Sequence, residues 1–215
     1  MTNSILKIFA VSLVGNKKYK AGAVYNDEKG LVIASLQPIG GIFGSWRQPL
    51  VDEVKMWVDS GAVVLVEENG DAVSQHATQF LLEDMDGDSG KTNMALALDA
   101  YFQLEDSDYL IIPQEYQRYA LKAGNEGSWI EKKNDDKGRP YYSIDWSKFT
   151  GAHRAILLCV AAAMFEPLSG RFLDAMWGKQ GENIHIDNPI ERWKKIFKDR
   201  GNGLESYLME ERSQT

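Results

Sequence analysis

The first part of the chain alternates short apolar runs with turn-forming residues. β-Branched and aromatic side chains dominate residues 5–13, 19–25 and 31–36. The connections between these runs carry Gly and Asn, as at Gly15 and Asn16, or a polar stretch that ends in Gly30. Apolar runs of this length, separated by such residues, are typical of strands joined in hairpins. The pattern therefore predicts three consecutive strands connected as hairpins.

A helix and a second kind of strand follow. Pro49 is well suited to the first turn of a helix, apolar residues then recur at helical spacing, and Gly61 is a plausible C-terminal cap. Residues 62–66 are apolar without any polar alternation. A strand with no polar face is typical of the interior of a sheet, so this segment is predicted to be central and parallel to a neighbour.

Three carboxylates follow this apolar strand. Glu67 and Glu68 come directly after it, and Asp71 lies in the next turn. Carboxylates gathered at one strand end can hold divalent metal ions. The same residues are also compatible with a solvated strand end, so this motif alone leaves both interpretations open.

The remaining pattern predicts a mixed α/β domain. Residues 74–82, 92–104 and 150–165 are predicted helices, residues 109–112 and 141–146 short strands, and residues 125–140 a projecting hairpin or loop. This order predicts a mixed central β-sheet flanked by helices in one domain, residues 1–165. Residues 166–215 are predicted to form a helical C-terminal appendage.

Composition narrows the class of protein. The 215 residues are 44% hydrophobic and 26% charged, which is typical of a folded, soluble domain. The net charge of -7 argues against a dedicated nucleic-acid coat protein. Cys159 is the one cysteine, so an internal disulfide and a multi-cysteine metal site are excluded. The longest apolar run, residues 155–165, is too short to span a bilayer, and no membrane partner is expected.

Two segments in this order resemble the nuclease domain of the large terminase subunits of tailed phages, a branch of the RNase H-like fold. VSLVGNKKYKAGAV is similar to the opening hairpin of that family, and VLVEENG is similar to the acidic end of its fourth strand. The resemblance covers residues 5–165, and the ATPase half of the family has no counterpart in it. It implies an RNase H-like fold, a phage origin and location in the cytoplasm of a bacterial host cell. It also implies a site where carboxylates of the first strand, the fourth strand and the last helix hold two divalent metal ions that cleave concatemeric DNA.

The carboxylates of that family are largely replaced in this chain. The leading aspartate of the family falls on Ser12, and its last acidic position falls near Ala152 or His153. Of the family's three carboxylate positions, Glu67 alone keeps an acid. A hydroxyl and an imidazole are poor ligands for Mg²⁺, which prefers carboxylate oxygens and water.

Two functions follow from this comparison. The first is a phage-type accessory protein with a degenerate, non-catalytic nuclease fold that needs no cofactor. It would act by binding a protein or DNA in DNA maturation, packaging or host takeover. The second is a metal-dependent DNA nuclease with a rearranged site of Glu67, Glu68, Asp71 and His153, in which Glu67 and Asp71 hold Mg²⁺ or Mn²⁺.

Charge along the chain is uneven. Residues 65–108 contain eleven Asp and Glu but one basic residue, Lys91, and such a surface repels DNA. The C-terminal segment has the opposite character: after Pro189 the spacing predicts a basic amphipathic helix. Its candidate partner- or nucleic-acid-binding residues are Arg192, Trp193, Lys194, Lys195 and Lys198. The alternative is a helix docked on the domain with its charges in water.

Overall fold

The computed structural model describes residues 6–15, 17–26, 30–40, 45–70, 72–86, 91–122, 129–136, 138 and 140–165. Asp71, the predicted appendage 166–215 and the five candidate binding residues within that appendage lie outside the described residues. In the described part there are eight strands and three helices, apart from two short 3₁₀ segments. The strands are β1 Leu6–Ser12, β2 Tyr19–Asn26, β3 Gly30–Pro38, β4 Val63–Glu67, β5 Thr78–Gln79, β6 Leu110–Ile111, β7 Ile130–Asn134 and β8 Pro140–Ile144. The helices are α1 Arg47–Asp59, α2 Asn93–Asp106 and α3 Gly151–Phe165.

Six strands form one mixed sheet in the order β5-β4-β1-β2-β3-β6. β1, β2 and β3 pair antiparallel, as the hairpin pattern predicts, whereas β4 pairs parallel with both β1 and β5. The prediction of a central, parallel fourth strand is therefore confirmed. β6 adds to the far edge beside β3, and β7 and β8 form a separate two-stranded hairpin. The predicted α/β architecture, a mixed central sheet flanked by helices, is confirmed.

Helices cover the two faces of the sheet unequally. α3 and α2 pack on one face and enclose the larger core, and α1 packs on the opposite face against β4. α3 contacts β1, β2, β3 and β4, so its apolar surface is buried nearly all round, as its sequence predicts. None of the helices that the structure describes combines the length and the apolar character needed to cross a bilayer.

The predicted helix at residues 74–82 is wrong. Only a single 3₁₀ turn, Ser74–His76, forms there, and the chain then becomes strand β5. The backbone N–H of Phe80 donates to the carbonyl oxygen of Val66, 3.0 Å away, as part of the pairing with β4. Pairing with the open edge of β4 satisfies backbone groups that a helix would satisfy internally, so tertiary context overrides the local helical pattern.

Candidate functional site

The register of two parallel strands brings Ser12 and Glu67 side by side. These residues are Cα partners at the C-terminal ends of β1 and β4. Both are fully buried and face α3, because residues opposite each other in a sheet lie on the same face. The first turn of α3 lies at this end of the sheet, since a Cβ at Gly151 would overlap the carbonyl oxygen of Lys17. Glycine at this position therefore allows α3 to approach the β1–β2 turn.

The carboxylate of Glu67 is fully engaged by protein groups. Arg154 of α3 donates from Nε to Oε2 at 2.8 Å and from Nη2 to Oε1 at 2.6 Å. The hydroxyl of Ser12 also donates to Oε2, at 2.8 Å, and the backbone N–H of Leu82 donates to Oε1, at 3.3 Å. Two-point pairing between a guanidinium and a carboxylate is the strong, geometrically specific form of this interaction. Each carboxylate oxygen therefore accepts two hydrogen bonds within the protein.

Arg154 is itself nearly buried and remains charged. Its side chain is 8% exposed, and its Nη2 also lies 3.2 Å from Oε1 of Glu83, whose side chain is 68% exposed. Burial by itself would lower the pKa of the guanidinium. The hydrogen bonds and negative charge of Glu67, joined by those of Glu83, outweigh burial and raise the pKa instead. A permanent positive charge therefore lies against Glu67 at every accessible pH.

Sequence reasoning missed Arg154. The resemblance placed the last acidic position of the family near Ala152 or His153, whereas the residue of α3 that contacts Glu67 is Arg154. A usable signal was present, because Arg154 is the one charged residue described in a helix that is apolar nearly all round. A buried cation requires a partner. The carboxylates at the end of β4 are candidates for that partner.

Glu68 has a different and local role. Its Oε2 accepts hydrogen bonds from the backbone N–H groups of Val73 and Ser74, at 2.9 and 3.1 Å. The amide of Gln79 donates to the backbone carbonyl of Glu68, at 3.0 Å. Glu68 therefore fixes the loop between β4 and β5. The catalytic role considered for Glu68 stays a prediction, and that for Asp71 concerns a residue outside the described part of the chain.

His153 lies among aromatic rings at the start of α3. Its ring centroid is 5.0 Å from that of Trp129, 5.7 Å from that of Phe149 and 6.0 Å from that of Tyr119. Nδ1 accepts a hydrogen bond from the backbone N–H of Thr150, at 2.9 Å. Burial in these surroundings lowers the pKa of His153 to about 4, so the imidazole is neutral at pH 7. Its proposed function as a metal ligand stays a prediction.

These residues do not fit a pair of divalent metal ions. Within the described residues, no three His, Cys, Asp or Glu side chains are grouped so that they could hold a metal. Two-metal cleavage requires carboxylates that hold ions about 3.5–4 Å apart. Both oxygens of Glu67 already face the guanidinium of Arg154, which any ion would have to displace.

Comparisons with known proteins find a likeness among solved structures. No protein-family model matches the chain, and no curated protein matches it. Among solved structures, the chain is similar to the large terminase nuclease from thermophilic phage G20c. The two are 14% identical, the match covers 74% of this chain and 81% of that one, and the TM-score is 0.45. This likeness carries no information on activity.

Proposed function

We propose that this protein is a non-catalytic, RNase H-like binding protein in which Arg154 takes the place of catalytic metal ions. The observation that carries the proposal is the buried ion pair of Arg154 and Glu67, joined by the hydroxyl of Ser12. The guanidinium of Arg154, which is part of the polypeptide chain, neutralises the charge of Glu67. A metal ion is therefore not needed to stabilise this end of the sheet.

Electrostatics disfavour a metal ion beside this pair. A divalent cation near Glu67 would be repelled by the guanidinium of Arg154, and the repulsion is strong because the surroundings exclude water. Opening the pair would leave a buried charge without its partner, at a cost of about 3–5 kcal/mol. The nearby Ser12 hydroxyl cannot offset this cost, because a neutral oxygen is a weak ligand for Mg²⁺.

The proposed role is that of a phage accessory protein acting on DNA maturation, packaging or the host by binding another macromolecule. The terminase-like segments of β1, β2 and β4 support a phage context. The closed carboxylate site supports binding rather than cleavage as the activity. The partner class is either protein or DNA.

A cleavage assay tests the proposal directly. The full chain is incubated with supercoiled plasmid and with single-stranded circular DNA in Mg²⁺ or Mn²⁺, beside the Glu67→Gln variant. We expect no cleavage by either protein beyond a buffer control. Metal-dependent cleavage by the wild type that is lost in Glu67→Gln would overturn the proposal and establish the rearranged nuclease instead.

Calorimetric titration with Mn²⁺ gives an independent readout. The wild type is expected to release or absorb no heat beyond dilution. Saturable Mn²⁺ binding that Glu67→Gln abolishes would contradict the closed site even if no cleavage occurred. Glu115→Gln is the matched control, because it makes the same isosteric change in an exposed glutamate outside the candidate site.

A further inference from the structure

Two cations flank one indole at the start of α1. Nζ of Lys18 lies 5.7 Å from the centroid of the Trp46 ring, and Cζ of Arg47 lies 5.6 Å from it. Trp46 is half-buried, whereas Arg47 is exposed. The backbone fixes this arrangement, because the N–H of Ile39 donates to the carbonyl of Lys18 at 2.9 Å and that of Leu50 donates to the carbonyl of Trp46 at 3.1 Å. A half-buried indole ring and two cations therefore share one patch.

A second cation and aromatic pair lies on the other side of β2. Cζ of Arg118 is 4.7 Å from the centroid of the Tyr119 ring. The hydroxyl of Tyr119 lies 3.4 Å from that of Tyr19. Tyr19 is the first residue of β2 and Lys18 directly precedes it, so their side chains point to opposite sides of the sheet. The two pairs therefore bracket the same end of the strand.

We call this surface the cationic rim and define it by six residues. They are Lys17, Lys18, Trp46, Arg47, Arg118 and Tyr119. The rim borders the closed carboxylate site, because Tyr19 is the register partner of Ser12. Gly151 at the start of α3 lies against the backbone of Lys17, which brings the rim within reach of the same helix that carries Arg154.

The charge of the rim contrasts with that of the whole chain. Between described residues, ion pairs use Lys20, Lys91, Lys133, Lys148 and Arg154. The four rim cations form no ion pair with a described carboxylate. The whole chain has a net charge of -7. What distinguishes the rim cations is that four of them lie near one end of the sheet, where together they attract anions.

We propose that the cationic rim binds single-stranded nucleic acid, with phosphates on its cations and bases against Trp46 and Tyr119. The proposal rests on the proposed function, because it names the partner class of the non-catalytic protein. Grooves that bind single-stranded nucleic acid have two features. Cationic side chains lie along the sugar-phosphate backbone, and aromatic side chains stack with the bases. The rim places cations within 6 Å of the Trp46 and Tyr119 ring centroids, so it combines the two kinds of group at one end of β2.

Single strands fit this surface better than two other anions do. A duplex hides its bases, so it would use the cations and leave the rings unused. An acidic peptide would likewise pair with the cations and gain little from the rings. Stacking on the rings is sequence-tolerant, so the expected ligand class is single-stranded DNA or RNA of any sequence.

Fluorescence anisotropy tests the rim in the presence of EDTA, where no metal-dependent cleavage occurs. The probe is a fluorescein-labelled oligothymidylate of about 20 nucleotides, longer than one such site covers. We expect the wild type to bind it more tightly than a blunt duplex of equal length. Lys18→Glu/Arg47→Glu should weaken binding about tenfold or more. The slope of the logarithm of the binding constant against the logarithm of the salt concentration should decrease in magnitude by about 1.4, the value for two lost phosphate contacts on a single strand.

A control of equal charge change separates the rim from general electrostatics. Lys7 and Lys55 are exposed, and Lys7 lies at the opposite end of β1. Lys7→Glu/Lys55→Glu should change affinity by no more than about twofold. Lys18→Gln/Arg47→Gln tests the same contacts without charge reversal, and a thermal melt checks that each variant is folded.

Several outcomes overturn the proposal. They are no binding by the wild type, equal losses in rim and control variants, tighter binding of the duplex, or equally tight binding of polyglutamate, which would identify a surface for acidic proteins. Failure of the rim differs from failure of the proposed function. If the probe binds in EDTA and is cut in Mn²⁺, the closed site is refuted and the proposal for the rim stands. If the probe is neither bound nor cut, only the proposal for the rim is refuted.

Discussion

Arg154 donates two hydrogen bonds to the carboxylate of Glu67, from Nε at 2.8 Å and from Nη2 at 2.6 Å, across 87 residues of sequence. The pair joins the first turn of α3 to the end of β4, with Ser12 of β1 as a third member. A metal ion at such a site is exchangeable, whereas the guanidinium is part of the chain. The pair therefore ties three elements of the fold together permanently.

Removing one member of this pair is expected to destabilise the fold strongly. Arg154→Met leaves the Glu67 carboxylate buried without its cation, and the cost of an unpaired buried charge is about 3–5 kcal/mol. The free energy of unfolding is measured by urea denaturation. The double variant Glu67→Leu/Arg154→Met should recover most of the loss, because it leaves no buried charge.

A solvent-accessible pair provides the control for this prediction. Lys20 and Glu53 form a 2.6 Å ion pair whose side chains are 23% and 31% exposed. Lys20→Met should cost no more than about 1 kcal/mol, because solvent screens such pairs. A cost for Arg154→Met as small as that for Lys20→Met would contradict the structural role of the buried pair.

Glu68 is expected to matter for stability through two backbone hydrogen bonds. Glu68→Ala leaves the N–H groups of Val73 and Ser74 without their acceptor, and we expect a loss of about 1–3 kcal/mol in the free energy of unfolding. Glu68→Gln keeps an acceptor oxygen and should lose less. A thermal melt of both variants with and without Mn²⁺ checks the alternative, since a metal-ligand role would make the loss metal-dependent.

Much of the sheet could be predicted from the sequence because its central parallel strand and its hairpin strands have different patterns of apolar residues. β4 is buried on every residue and lies between two parallel neighbours, and its unbroken apolar run predicts this position. β5 could not be predicted in the same way. Its two residues, Thr78–Gln79, form a strand because the edge of β4 is open to them, which is a property of the sheet and not of the segment.

The candidate site could be predicted in part. Glu67 can be identified from the sequence because it lies at the end of an apolar strand. Which residue of α3 contacts it depends on how that helix is rotated about its axis. One residue along a helix changes direction by about 100°. An estimate that placed the facing residue at Ala152 or His153 therefore points to a different surface from Arg154. The consecutive glutamates also separate, because Glu67 faces α3 while Glu68 contacts the loop after β4.

His153 is expected to make stability depend on pH. Its pKa is lowered to about 4 in the fold by burial, against an ordinary value of 6.5, so the unfolded chain takes up a proton first as pH falls. The contribution to stability is fully present above pH 6.5 and is lost between pH 6.5 and about 4. The slope does not exceed about 1.4 kcal/mol per pH unit for one proton.

The comparison variant for this prediction is His153→Asn. Its side-chain oxygen can accept the N–H of Thr150 in place of Nδ1, but it does not titrate. Urea denaturation of both proteins at several pH values between 7 and 4 gives the difference in stability. The wild type should lose stability relative to His153→Asn as pH falls. Parallel curves would show that the pKa of His153 is not lowered by folding.

Replacing Ser12 and Arg154 by aspartate is expected to create a metal site. Ser12→Asp/Arg154→Asp places two new carboxylates beside Glu67, at the end of β1 and in the first turn of α3. Aspartate is shorter than arginine, so the exchange leaves a gap beside Glu67. A bound ion with a ligand about 2.1 Å away on each side spans about 4 Å of that gap. Without metal, the three carboxylates repel one another and the variant should be less stable than the wild type.

Mn²⁺ should restore the stability of this variant in a saturable manner. At a concentration one hundred times the dissociation constant, a ligand that binds only the folded state adds about 2.7 kcal/mol. Thermal unfolding is measured against Mn²⁺ concentration for the wild type, the aspartate variant and Ser12→Asn/Arg154→Asn, which has the same shape without the charges. Only the aspartate variant should be stabilised by Mn²⁺. In that variant the positive charge that Arg154 provides in the wild type has to come from a bound metal ion. Equal stabilisation of all three proteins would mean that Mn²⁺ binds elsewhere and that Arg154 does not substitute for a metal.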